Sequence, residues 1–459
     1  MKFLLTHGYF IKDDLKEQEI MKPYVPLGIL YISAYLEQNQ KEHDVFDSTF
    51  HSFNDLKEKI ESYQPDCIAA YLNLMTRINV LKLIKWIKTT EHLKHIKLIL
   101  GGPEVTHHAE DLLNYGADLI CVGEGEQTIL EIYSHFETSD AIPEHIEGTQ
   151  FLKGRVLIKN EERKLLKDIN VLPAPNRKKI DLGKYLNAWK SRHGYSMISV
   201  STMRGCPYTC KWCSRAVYGG TYRRRSPELV VQEIQFIKET YNPDRIWFVD
   251  DVFTISHKWL KEFSDLLVKN NATIPYEIIT RADRMSDEVI SMLKQSGCFR
   301  IWIGAESGSQ KIIDAMDRRV EVKQVREMII KSKEAGIEAG TFIMLGYPGE
   351  TTADIKETIN HLKISEPSFY TITVAYPIKG TPLYEEIKND ITSITDWETD
   401  TDREVDFKRT HSKKFYEYAV RWVHNEVALA KSKSLTNRVK LKAKSIISQG
   451  LMKLESLKQ

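Results

Sequence analysis

Arg204-Gly205-Cys206-Pro207-Tyr208-Thr209-Cys210-Lys211-Trp212-Cys213 is the stretch on which the reading of this chain turns. The spacing is C-x3-C-x2-C, with an aromatic residue just before the third cysteine. Three thiolates on one short loop, Cys206, Cys210 and Cys213, can hold three irons of a [4Fe–4S] cluster. The fourth iron then has no protein ligand and can bind and reduce a small molecule. A cluster held by four cysteines usually only carries electrons. Zinc is the competing occupant, since thiolates bind it too. Zinc usually takes a fourth ligand, however, and neither a second CxxC nor an H-x3-H pair lies nearby.

Downstream of this loop the sequence alternates strand-like and helix-like segments. Residues 198–201 read as the strand that enters the loop. Residues 245–249 end at Asp250-Asp251, residues 276–279 at Thr280-Arg281-Ala282-Asp283, and residues 300–303 at Gly304-Ala305-Glu306-Ser307-Gly308. Residues 340–345 end at Gly346-Tyr347-Pro348-Gly349-Glu350, and residues 370–375 at Tyr376-Pro377. Helical stretches such as 227–240 and 286–296 lie between them. The pattern predicts six β/α units, a partial (β/α)6 barrel. Polar and glycine-rich residues cluster at strand C-termini, where barrel enzymes keep their active sites.

Upstream, residues 1–140 also alternate. Strands are expected at 2–6, 43–46, 67–71, 96–100 and 118–122, with helices at 27–37 and 80–86. Such alternation implies a parallel sheet covered on both faces, here a flavodoxin-like doubly wound α/β domain. Ligands of such sheets bind beyond the carboxyl ends of the strands, where Gly101, Gly102, Gly123 and Gly125 lie. Pro143, Pro173 and Pro175 punctuate residues 141–190, read as a linker with short strands. The expected division is 1–140, a linker at 141–190, the barrel at 191–390 and a mainly helical, basic region at 391–459.

Composition sets the broad class. Hydrophobic content of 42% and charged content of 28% in 459 residues suit a globular protein of two to four domains. No apolar run is long enough to span a bilayer, and Met1–Gly8 reads as a first strand rather than a signal peptide. Six cysteines, three of them in one loop, point to a reducing compartment, hence the cytoplasm. Cys67, Cys121 and Cys298 stand singly in apolar contexts and read as buried structural thiols.

Net charge is only +2, but residues 411–459 hold eleven Lys or Arg and three Asp or Glu. That region is therefore +8, and the remainder about −6. Val439, Ala443, Ile446, Ile447, Leu451 and Leu454 follow helical spacing, with lysines on other faces. Two readings stand: a C-terminal helical cap with a solvated basic face, or an amphipathic surface in peripheral contact with anionic lipid or an acidic partner.

Taken in order, the cysteine loop and the strand-end motifs resemble the radical S-adenosylmethionine (SAM) superfamily. The resemblance implies that the open iron chelates the amino and carboxylate groups of SAM. One electron from the cluster then cleaves the sulfonium to methionine and a 5′-deoxyadenosyl radical. Asp250 and Asp251 correspond to the polar strand end that meets the SAM amino group, a pairing that suits carboxylate and ammonium. Helix N-capping is the other role open to Asp251. Arg281 could pair bidentately with the SAM carboxylate, or form a salt bridge to Asp283. Glu306 and Ser307 look like the fourth-strand motif, with Glu306 placed for ribose or amino contacts. Gly346 and Pro348 belong to a stretch similar to the fifth-strand, adenine-side motif.

Pro26-Leu27-Gly28, Gly101-Gly102-Pro103 and Gly123-Glu124-Gly125-Glu126 resemble the cobalamin-binding domain joined to radical SAM enzymes. A bulky ligand approaching the backbone at strand ends favours glycine; an ordinary doubly wound domain with another ligand is the alternative. The D-x-H-x-x-G pattern that supplies a histidine to cobalt in many cobalamin proteins is absent, and His7, His51, His107 and His108 do not fit it. The resemblance thus implies cobalamin without a protein histidine on cobalt, with His107 and His108 at a surface or edge. Glu104 stands where many relatives carry histidine. The run Tyr222-Arg223-Arg224-Arg225 could hold an anionic group or make a solvated strand with barrel salt bridges. Clustered charge without a binding fold does not indicate nucleic acid.

Over residues 1–390 the chain is similar to class B radical SAM methyltransferases and to the anaerobic tetrapyrrole cyclase-like group. The resemblance implies an enzyme with a [4Fe–4S] cluster, SAM and cobalamin. It would methylate an unactivated carbon of a small-molecule or lipid-like substrate, with electrons from a donor such as flavodoxin or ferredoxin. Radical oxidative cyclisation or rearrangement on the same scaffold is the alternative, and a non-catalytic electron-transfer or sensor protein is a third. No general base stands out.

Overall fold

The computed structural model describes residues 1–393, 396–400 and 403–458. It divides into two compact units. The first holds Met1–Pro207, Ser214–Trp247 and a short stretch about Trp397; the second holds Tyr208–Cys213, most of 248–393 and the C-terminal helices.

In the first unit, β1 (Phe3–His7), β2 (Asp44–Phe46), β3 (Cys67–Tyr71), β4 (Lys97–Gly101) and β5 (Leu119–Cys121) pair in parallel. Their order is β2-β1-β3-β4-β5, the flavodoxin-like order. A hairpin, β6 (Thr149–Lys153) and β7 (Val156–Lys159), continues the sheet antiparallel to β5. The proline-punctuated stretch thus builds two further strands onto the sheet. Helices α1 (Leu15–Ile20), α2 (Leu27–Gln38), α3 (Phe53–Tyr63), α4 (Arg77–Thr89), α5 (Val105–Tyr115) and α6 (Gly125–Phe136) intervene.

Side-chain alternation explains why the sheet is covered twice. Successive strand residues point to opposite faces. Leu4, Ile68, Ala70, Leu98, Leu100 and Ile120 share one core with α3, α4 and α5. Their neighbours Phe3, Leu5, Cys67, Ala69, Ile99 and Leu119 share the other core with α2 and α6. Strands apolar at both parities cannot leave either face in water, since each buried Leu or Ile contributes roughly 1.5–3 kcal/mol. Burial pushes the thiols of Cys67 and Cys121 up to about 12. Cys298 is buried too, and its thiol is raised by the same cause. All three are structural, as the sequence suggests.

The chain continues through α7 (Leu182–His193), β8 (Met197–Val200), the antiparallel pair β9 (Met203–Arg204) and β10 (Arg223–Arg224), α8 (Pro227–Tyr241) and β11 (Arg245–Phe248). Ser226 caps α8 by accepting from the Leu229 N–H, and Pro227 opens the helix, where its missing donor is harmless. Then follow α9 (His257–Lys269), β12 (Tyr276–Thr280), α10 (Asp287–Gln295), β13 (Cys298–Glu306), α11 (Gln310–Ala315) and α12 (Val322–Glu334). Next come β14 (Glu338–Leu345), α13 (Thr352–Ser365), β15 (Phe369–Val374) and α14 (Pro382–Ile387), and last α15 (Lys413–Lys431) and α16 (Leu435–Ser456). The second sheet has six strands in the order β8-β11-β12-β13-β14-β15, parallel from β12 to β15. This is the expected partial barrel.

The basic C-terminal region divides into two unlike helices. The first, α15, buries Phe415, Tyr416, Ala419, Trp422 and Val423 and packs on α13 and β15, so it is a cap. The second, α16, packs along α15 and buries only Ser445, Ser448 and Met452.

Candidate active site

The site is built on the carboxyl edge of β12, β13 and β14 in the second unit, which also holds Asp250 and Asp251. Asp250 and Asp251 follow β11, Arg281 follows β12, Glu306 ends β13, and Gly346 follows β14. Parallel pairing puts the ends of β12, β13 and β14 on one edge. Asp250 is buried. Asp251 reaches the surface, yet the surrounding protein and the Asp250 charge raise its pKa. Glu306 sits where the β13–β14 register slips, with φ at +64°. An L residue with that φ is strained, and such strain is often kept at functional sites. Burial raises the Glu306 pKa, while Arg318 and Arg281 oppose the rise. Ser307 is turned inward, its hydroxyl 3.2 Å from Thr358 Oγ1 and accepting from the Ser309 N–H at 3.1 Å. Gly346 has φ of +79°, and its N–H donates to Glu350 Oε2 at 2.6 Å, while Pro348 is half-buried.

None of the six cysteines is in a disulfide, with Cys206 half-buried, Cys210 buried and Cys213 exposed. The part of the loop carrying Cys210 and Cys213 is pinned from below. Lys211 N–H donates to Met316 O at 3.1 Å, Leu383 N–H donates to Lys211 O at 2.9 Å, and Thr209 bonds to Asp317. Trp212 packs on the cluster of Ile312, Met316, Tyr347 and Leu383.

Two buried guanidiniums then converge on one sulfur: Arg281 Nη1 lies 3.7 Å and Arg318 Nη1 3.6 Å from Cys210 Sγ. The other donors of Arg281 go to Asp283 Oδ1 at 2.8 Å and Arg318 O at 2.7 Å, and its guanidinium stacks 3.8 Å from the Tyr208 ring. Arg281 therefore forms the salt bridge to Asp283, and its Nη1 also faces the cysteine loop.

Sequence reasoning missed Arg318. Its Nη2 donates to Gly304 O at 2.7 Å, and it stands 3.8 Å from Glu306 Oε1. Burial opposes its charge, but Glu306 and the Cys210 sulfur outweigh that and raise its pKa. A Cβ at position 304 would stand 2.3 Å from Arg318 Nη2, so only glycine there leaves the guanidinium in place. This gives the glycine of the fourth-strand motif a physical reason. The only local signal was the run Asp317-Arg318-Arg319, and the exposed Arg319 looks the same in sequence.

Three thiols at this spacing, with cations against one of them, form a donor set that suits an iron–sulfur cluster, whose thiolates and sulfides carry negative charge. Among the described residues no three His, Cys, Asp or Glu side chains are already gathered closely enough to hold a metal ion.

In the first unit, Gly101 ends β4, Gly102 and Gly123 lie just past β4 and β5, and Gly125 opens α6. Pro26 caps α2, with Leu27 and Gly28 in its first turn. The backbone at Gly28, Gly101 and Gly123 meets only ordinary van der Waals contact, although Gly123, with φ of +83°, favours glycine for that reason too. A Cβ at those positions would come no nearer than 3.8, 3.6 and 4.0 Å to other atoms. Uncrowded glycines at two strand exits and at the start of α2 fit a bulky ligand like cobalamin. Gly102 has a different reason. Its φ is +115°, and a Cβ would lie 2.4 Å from Leu72 O, so packing against the neighbouring strand's exit demands glycine.

Glu124 is fully engaged by the protein. Arg204 Nη1 reaches its Oε1 at 2.7 Å, and Arg223 Nη1 reaches Oε2 at 2.7 Å. Leu166 N–H also donates to Oε2, at 2.9 Å. Burial would raise its pKa, but the Arg204 and Arg223 pairings win and lower it. The second guanidinium nitrogen of Arg204 pairs with Glu126. A buried ion-pair cluster thus ties the β5–α6 loop to the residue two positions before Cys206.

The arginine run after the cysteine loop is absorbed in such contacts. Arg223 takes Glu124, Arg224 Nε donates to Thr202 Oγ1 at 3.0 Å, and Arg225 pairs with the buried Glu233. This is the salt-bridge reading, although Arg225 is buried rather than solvated. His108 corrects a second expectation. It is buried against Trp397, because α5 turns it toward the core that also packs Trp397. Glu104 is buried and paired with Arg77 at 3.1 Å.

Glu350 gives a test of this edge. It is fully buried, and burial pushes its carboxyl up to about 8, although the Gly346 N–H opposes the rise. A folded pKa above the usual 4.5 means that the native state holds the proton more tightly. The contribution of Glu350 to stability is therefore full below pH 4.5 and is lost as pH rises through about 8. Glu350→Gln should unfold at the same temperature as wild type near pH 5 and resist unfolding better at alkaline pH. The gain should be roughly 2–4 kcal/mol, at about 1.4 kcal/mol per pKa unit. Parallel pH profiles of the two proteins in denaturant titrations would refute the assignment.

Comparison with known proteins agrees with this architecture. The chain matches the radical SAM superfamily over residues 200–362 and the B12 binding domain over residues 19–133. It is 26% identical over 381 residues to "Uncharacterized methyltransferase PH0819" of Pyrococcus horikoshii, covering 81% of this chain and 80% of that protein. It is 23% identical to the anaerobic magnesium-protoporphyrin IX monomethyl ester cyclase of Cereibacter sphaeroides, covering 81% of this chain and 62% of that protein. The solved structure of OxsB, described as a cobalamin-dependent S-adenosylmethionine radical enzyme with aqua-cobalamin bound, superposes with a TM-score of 0.77 at 16% identity. That match covers 98% of this chain and 72% of OxsB.

The chain carries a B12 binding domain and a radical SAM domain, and its relatives support an enzyme. Its sequence relatives include a methyltransferase and an anaerobic cyclase, and its fold is shared with a cobalamin-dependent radical SAM enzyme. The cofactors that its two domains imply are a [4Fe–4S] cluster, SAM and cobalamin.

Proposed function

We propose that this chain methylates an unactivated carbon of a small organic substrate, tetrapyrrole-like or lipid-like. The observation that carries the reading is the joining of both domains in one chain, with similarity to a methyltransferase across 81% of it. When bound, the cluster and SAM supply a carbon-centred radical oxidant, and cobalamin supplies a methyl group.

The chain's own residues bind and orient. Cys206, Cys210 and Cys213 are the cluster ligands, and Arg281 and Arg318 brace the Cys210 sulfur. Asp250, Asp251, Glu306, Ser307, Gly346 and Pro348 line the SAM side. Pro26, Leu27, Gly28, Gly101, Gly102, Gly123 and Gly125 form the cobalamin floor. Glu124 acts there as a positioning residue through Arg204 and Arg223. The working division assigns 1–140 to cobalamin, 141–190 to a linker, 191–390 to the barrel and 391–459 to the helical region. Electrons come from a flavodoxin- or ferredoxin-type donor.

A second reading, oxidative cyclisation, is favoured by the 23% identity to the cyclase. The test is anaerobic reconstitution with methyl-labelled SAM, reductant and a metabolite extract as substrate source. Methyl transfer predicts both 5′-deoxyadenosine and a labelled organic product. Deoxyadenosine with no label in any product would favour cyclisation. Neither product would point to electron transfer or sensing.

A further inference from the structure

We propose that α16 is an interfacial helix that lays the enzyme on an anionic lipid surface. The inference rests on the helix alone and is independent of the reaction assigned above. Leu435, Val439, Ile446 and Leu457 are spaced by four, seven and eleven residues, so they form one stripe of the helix. Ile447 and Leu454 lie beside them. All six are exposed, from 57% to 78%. The seam against α15 lies on the opposite side and is made by Ser445, Ser448 and Met452. The helix therefore turns two serines and one methionine inward and most of its long apolar residues outward. A cap helix would do the reverse, and the sequence, which gives only the spacing, could not tell the two apart.

Charge identifies the occupant. At 3.6 residues per turn, Lys440 and Lys444 fall along one border of the stripe, and Arg438 and Lys442 along the other. All four are exposed. An apolar stripe fringed by cations is the pattern of a helix lying in a membrane interface, its apolar side among acyl chains and its lysines reaching the headgroups. At the start of the same helix a cleft of about 740 Å³ is lined by Lys333, Lys431, Lys433 and Arg438 with one acid, Glu366. That cleft adds to the positive field. A second copy is disfavoured, because two lysine-fringed stripes of a +8 region would repel each other. No helix among the described residues is long and apolar enough to cross a membrane, so the contact proposed is superficial.

The experiment is flotation of the full, cofactor-loaded chain with phosphatidylcholine vesicles, with and without phosphatidylglycerol. The chain should float only with the anionic vesicles and be released by high salt. Val439→Gln/Ile446→Gln and Lys440→Glu/Lys444→Glu should each lower the bound fraction by about tenfold or more. Both pairs are exposed, and unchanged thermal unfolding will confirm that the fold is intact. Wild type left unbound, equal binding to both vesicle types, or unchanged binding by both variants would overturn the proposal. So would a dimer that Val439→Gln/Ile446→Gln dissociates while wild type ignores vesicles, since the stripe would then be an interface between copies.

Discussion

Cys210→Ala is expected to empty the cluster site and stop SAM cleavage. Iron after anaerobic reconstitution should fall from about four per chain toward zero, the brown absorbance should vanish, and 5′-deoxyadenosine should drop to background. The reason is local. Cys210 is the buried cysteine of the loop, and its sulfur is the one on which Arg281 and Arg318 converge at 3.7 and 3.6 Å. Removing that sulfur deletes a ligand and leaves two buried guanidinium donors without their acceptor. Cys298→Ala is the control: a buried thiol outside the loop, whose loss should cost about 1–2 kcal/mol of stability and leave iron and product intact. If Cys210→Ala kept a full iron complement and product, the loop would not be the cluster site.

Arg204→Met should produce the largest loss of stability, roughly 3–5 kcal/mol, read from the first unfolding transition in denaturant. Glu124 would keep Arg223, but Glu126, also buried, would lose the guanidinium that pairs with it. A buried carboxylate stripped of its cation costs far more than the intact pair contributes. Adding Glu126→Gln to Arg204→Met should therefore restore much of the loss.

Acid provides an independent check. Glu124 has a folded pKa below the usual 4.5, so its stabilisation is present above pH 4.5 and fades as pH falls further. That acid limb should be shallower in Arg204→Met than in wild type. Equal stability of the single and double variants, or an unchanged acid limb, would mean that the cluster is a surface arrangement of little energetic weight. The consequence reaches the cofactors, since Arg204 joins the Gly123–Gly125 turn to the chain entering Cys206. A loosened Arg204 should lower cobalamin retention along with stability.

The fold was legible where the signal is local. Strands apolar at both parities, such as Phe3-Leu4-Leu5 and Cys67-Ile68-Ala69-Ala70, can only be central parallel strands with both faces covered. Residues 2–6 and 67–71 were accordingly readable before any contact was known. The barrel strands were legible through the polar residues that end each of them. Arg318 was not legible. It lies one position from the exposed Arg319 on an irregular turn, and only the close approach of Gly304 singles it out. Glu124 and Glu126 read as part of a ligand loop, and nothing near them in sequence announces their pairing with Arg204, about eighty residues away.

By itself the sequence determined the order of elements, the three-cysteine spacing and the glycine-rich strand ends, because periodicity and spacing act within a few residues of the chain. Only the tertiary structure decided which charges pair and which way α16 turns its apolar stripe. An ion pair across eighty residues depends on sheet register and loop closure. A helix with apolar residues on one side and small residues on the other declares its inner face only when a neighbour such as α15 is seated against it.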